Sequence, residues 1–71
     1  MDTLLKILDE AGLDEEHCKK SKRLYQMRTI LIDKYVYLMS REEICRELED
    51  MTWRTYHRRL NDALMRIRKF I

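Results

Sequence analysis

Proline is missing altogether and glycine occurs once, at Gly12, so the chain has almost none of the turn residues that β-sheets require. Cysteine occurs twice, at Cys18 and Cys45, too few and too far apart for a disulfide framework. Together with His17 and His57 they make four conceivable zinc ligands. None of them has the paired spacing that aims two ligands at one ion, and no metal is expected. No apolar run approaches the length of a membrane span, and no basic stretch followed by an apolar one opens the chain. A cytoplasmic protein with no membrane partner is the expectation. A single glycine also leaves no loop to cradle phosphate, and no Ser–His–acid or paired-carboxylate spacing stands out. An enzyme is thus the weakest reading, with no catalytic residue and no cofactor expected.

What is present favours helices. The composition is 45% hydrophobic and 39% charged, rich in Leu, Lys, Arg, Glu and Met, all good helix formers. Apolar residues run along the whole chain, which argues against disorder. Seventy-one residues leave room for one domain, 1–71, with one modest core. The fold class expected is all-α, a compact domain of three to four helices ending in a helix-turn-helix. The net charge of +2 hides an asymmetry: residues 1–16 carry six acids against Lys6, while 52–71 carry six bases against Asp62. Such a basic end fits a polyanionic partner, although pairing of one end with the other explains it equally.

Local patterns divide the chain. Leu4, Leu8 and Ala11 share a helical face with Leu5 and Ile7 beside it, and Gly12 is placed to end that N-terminal helix, 1–12, in a left-handed cap. Asp14 is positioned to cap a long helix over 14–39, with room for a break. Its start, Lys19-Lys20-Ser21-Lys22-Arg23, is polar and reads as a solvated face. From there Leu24, Met27, Leu31, Tyr35 and Leu38 form a stripe widened by Ile30, Ile32 and Val36. Ser40-Arg41-Glu42-Glu43 is a capping box, and the short helix it opens buries Ile44, Cys45 and Leu48. After Glu49-Asp50, Met51 returns to the core and Thr52 caps a last helix to about Phe70.

Residues 40–70 meet the needs of a helix-turn-helix: a short helix with a small residue at the crossing (Cys45), an apolar anchor in the turn (Met51) and a capped second helix. With Tyr56 centred on the buried side, a rotation of about 100° per residue keeps Leu60, Ala63 and Ile67 inward. Arg54, Arg58 and Asn61 then face out, with His57 and Arg59 on the flanks. Arginine can take guanine bidentately and asparagine adenine, whereas Thr52, Thr55 and the flanking bases suit phosphates. Trp53 falls near Leu60, where packing in the core or at the domain edge is favoured over stacking on a sugar. His57 reads as a surface residue first and a phosphate contact second. Thr52, Trp53, Arg54, Thr55, His57, Arg58, Arg59 and Asn61 make up the expected DNA-binding set.

The stretch from Met39 to Leu48, followed by Met51 to Leu60 and Ala63-Leu64, resembles region four of sigma factors. It is also similar to small phage-encoded activators of the ArpU and RinA kind. In that pattern a helix E-I-A-x-x-L leads through a turn into S-x-x-T-V, a basic stretch and A-L. Ile30 to Val36 resembles the helix that precedes it, so the likeness covers roughly the last 45 residues. It implies a three-helix core, double-stranded DNA read by the last helix, contact with RNA polymerase, and a bacterial or phage-infected host. Three departures stand out. Glu49-Asp50 occupies a turn where one glycine is usual, Tyr56 replaces a smaller aliphatic residue, and the N-terminal segment has no counterpart. The rival reading is a helical protein-interaction module that binds polymerase or another regulator, or forms homodimers, without reading DNA. Dimerisation through the N-terminal helices, which exposure of Leu4, Leu5 and Ile7 would support, also suits a symmetric operator.

Overall fold

The structure, a computed structural model, describes residues 2–70. It is all-helical: α1 (Asp2–Glu10), α2 (Glu15–Lys20), α3 (Lys22–Tyr35), α4 (Arg41–Glu47) and α5 (Trp53–Ile67), closed by a 3-10 turn over Arg68–Phe70. No strand occurs among the described residues. Several boundaries have a local chemical cause. Gly12 ends α1 with φ +77, a conformation that a side chain would strain. The Leu13 amide donates back to the Leu8 carbonyl at 2.8 Å, satisfying an orphan helix-end acceptor. The Ser40–Glu43 capping box is complete, with each side chain taking the other's backbone N–H. The Thr52 hydroxyl accepts from the Thr55 amide at 3.2 Å and opens α5.

The segment 14–39 is not one helix, which raises the expected three to four helices to five. Ser21 is extended (φ −143, ψ 116), which divides α2 from α3, and its hydroxyl accepts from the Leu24 amide to restart the helix. Asp14 precedes α2 but makes no side-chain cap. Its carboxylate pairs instead with His17 Nδ1 at 2.6 Å. The helix also stops four residues early. After Tyr35 the amides of Val36 and Tyr37 both turn to the Ile32 carbonyl, and Leu38 enters the left-handed region (φ 54). Tyr35 and Leu38 therefore leave the apolar stripe: Tyr35 is half-exposed and Leu38 is 80% exposed. At the C-terminus the helix tightens after Ile67, three residues before the expected end.

Two groups of side chains form the core. Leu8, Ala11 and Leu13 meet Met27 and Leu31 of α3 and Ala63 and Ile67 of α5. Ile30 of α3 meets Ile44, Cys45 and Leu48 of α4 and Tyr56 of α5. Leu60 packs against both groups and joins them. Leu4, Leu5 and Ile7, whose exposure would have supported dimerisation, are partly buried against the first group. Leu64 of α5 is exposed. Polar contacts fasten the layers: Arg28 donates to the Leu13 carbonyl at 2.8 Å, and Arg23 pairs with Asp62 of α5 at 2.9 Å. The α4–α5 turn is held by the Met51 amide, which donates to the Cys45 carbonyl at 2.9 Å. Glu49 and Asp50 are both left-handed (φ 60 and 57), so two acidic residues take a conformation that favours glycine.

Candidate nucleic-acid interface

The outer side of α5 begins with its cap. The Thr52 hydroxyl both accepts from the Thr55 amide and donates to the Thr55 hydroxyl at 3.0 Å, so the two threonines are occupied with each other. Tyr56, Ala63 and Ile67 are buried, which fixes the rotation of the helix about its axis. Arg54, Arg58 and Asn61 are consequently exposed, as the periodicity predicts. Neither Arg54 nor Arg58 has a hydrogen bond or an ion pair among the described residues. Asn61 has only a weak contact, from Nδ2 to the Met65 sulfur at 3.8 Å. Adjacent turns of a helix separate Arg54 from Arg58 by about 6 Å along the axis, close to the rise of two base pairs.

The flanks differ from each other. On one, Arg59 is drawn inward, and its Nε donates to Gln26 Oε1 of α3 at 3.0 Å, which withdraws it from the outward set. On the other, Trp53 and His57 are exposed, and both meet a residue that sequence spacing did not single out. The Arg41 guanidinium lies over the Trp53 ring, 3.8 Å from its centroid, and its Nη1 is 3.4 Å from His57 Nε2. Because a guanidinium only donates, His57 Nε2 is the acceptor in this pair. Trp53 is thus at the domain edge, half-exposed, with an arginine over its ring. The only sequence signal for Arg41 is its place just after the Ser40 cap. Nothing in the spacing links it to residues twelve and sixteen positions on.

Beneath this surface the ionisable groups are shifted by burial. The Cys45 thiol and the Tyr56 phenol are both pushed above their ordinary values by loss of solvent, so both stay neutral in the physiological range. Asp33, near the end of α3, is 5% exposed and has one carboxylate oxygen without a partner. Its burial, then a hydrogen bond and charge repulsion from Glu47 of α4, push its pKa up to about 6. No group of three or more metal-ligating side chains occurs among the described residues. Scans of the chain against protein-family models, curated proteins and solved structures each return no match.

Proposed function

We propose that this chain is a sequence-specific DNA-binding protein, a helix-turn-helix in which α4 braces α5 and α5 enters the major groove. One observation carries the reading: two guanidiniums, unpaired among the described residues, and a carboxamide stand on the solvent side of a helix whose other side is locked into the core. The major groove admits a helix, and these are the side chains that recognise guanine and adenine edges. The N-terminal turn of α5 carries the positive end of the helix dipole, which favours phosphate there. The resemblance to sigma region four and to the phage activators extends the proposal to transcription regulation and to contact with RNA polymerase.

The test is a mobility shift on duplex DNA with the double variant Arg54→Ala, Arg58→Ala. Each bidentate arginine–guanine pair is worth about 1–3 kcal/mol, so the double change lowers affinity on the order of a hundredfold or more. Helical content by circular dichroism stays at the wild-type level, because neither side chain supports the fold. An unchanged shift removes the proposal.

A second reading has its own observation. Tyr37, Leu38 and Trp53 are all at least half-exposed, and an exposed apolar surface is how a protein-binding module presents itself. Co-purification with polymerase subunits that survives nuclease treatment and the double arginine change would favour it.

A further inference from the structure

Among the described residues, Arg41 has a guanidinium whose surroundings are built but whose charge is left uncompensated. Three other cations meet carboxylates and three meet neutral groups, Lys34 over the Tyr35 ring being one of the latter. Arg23 pairs with Asp62, Lys22 with Glu49 and Lys19 with Glu16, while Arg28 and Arg59 donate to neutral oxygens. Arg41 touches an indole ring and an imidazole nitrogen, neither of them an anion. Its Nε is enclosed without a hydrogen-bond partner, and it forms no ion pair among the described residues. A partly desolvated cation of this kind is unfavourable until an anion meets it, and the protein's own carboxylates do not.

Its position says which anion. Trp53 is the first residue of α5 and His57 lies one turn further, so the guanidinium rests on the flank next to Arg54 and Arg58. The ring and the imidazole hold it in one place before any ligand arrives, which lowers the ordering cost of binding. A flat, fixed guanidinium beside a base-reading face is suited to a phosphodiester, which it can meet with two parallel N–H donors.

We infer that Arg41, stacked on Trp53 and bonded to His57, is a preformed phosphate-binding residue that docks α5 against the backbone of duplex DNA. This rests on the DNA-binding reading above, and the experiment separates the two. Binding of a fluorescent random-sequence duplex is titrated at several salt concentrations with the wild-type chain, Arg41→Met and Arg41→Lys. Methionine keeps an aliphatic cover on the Trp53 ring while removing the charge.

Removal of one phosphate contact flattens the dependence of log K on log salt by about 0.9. Arg41→Met should show that flattening, and Arg41→Lys should keep the wild-type slope with several-fold weaker binding. A wild-type slope in a folded Arg41→Met protein, even with reduced affinity, would make Arg41 a brace between α4 and α5 and overturn the inference alone. Failure of Arg41→Met to fold would do the same, with Arg41→Gln as the check. A wild-type chain that binds no duplex at any salt concentration removes both this inference and the DNA-binding reading.

Discussion

Replacing Asp33 by asparagine removes a buried charge while keeping the shape of the side chain. Asp33 is enclosed near the C-terminal end of α3, where the helix dipole is also unfavourable to an anion, and Glu47 faces it from α4. Its pKa rises from 3.8 to about 6 in the folded protein. A raised carboxyl pKa means that the folded state holds the proton more tightly than the unfolded chain does. The protonated form therefore favours folding below pH 3.8, and that contribution is lost as the pH climbs through about 6. A shift of this size corresponds to about 3 kcal/mol at most. The Asp33→Asn variant should be more stable than wild type at pH 8 by up to that amount, and close to it at pH 4. Urea unfolding followed by circular dichroism at both pH values measures the difference. A variant that is less stable than wild type at pH 8, or a gap that does not change with pH, would refute the reasoning.

The α4–α5 turn offers a simpler gain. Glu49→Gly should raise stability by about 0.5–1 kcal/mol, seen as a higher melting temperature, because glycine takes φ 60 without a Cβ penalty that outweighs its added chain entropy. The change also removes the exposed Lys22–Glu49 ion pair, which counts for little, and a lower melting temperature would contradict the assignment of strain. Both cysteines should resist an aromatic disulfide reagent in the native state and react at once in denaturant. Burial covers them and pushes their thiols up, so rapid native labelling would mean that the packing around them opens readily.

Much of the fold was legible because it is written in short-range chemistry. Gly12, the Ser40–Glu43 box and Thr52 act on backbone groups within a few residues, so their sequence signals carry over directly to helix boundaries. The rotation of α5 was equally readable, since the period of a helix ties Tyr56, Ala63 and Ile67 to one side and Arg54 and Arg58 to the other. Asp14 shows the limit of such rules. A good capping residue found a closer partner in His17 and left the helix end uncapped.

Residue order alone was therefore enough to say which stretches become helices and which face of the last one is free, because both depend on neighbours one or two turns away. It took the packed molecule to show that the expected long helix breaks at Ser21 and ends at Tyr35. Packing likewise turns Arg59 inward to Gln26, sets Asp33 against Glu47 and lays Arg41 on Trp53. These pairings join residues 12 to 33 positions apart, and no local periodicity encodes them. They follow from how α4 and α5 pack around α3, where contacts over distance override the propensity of any one segment.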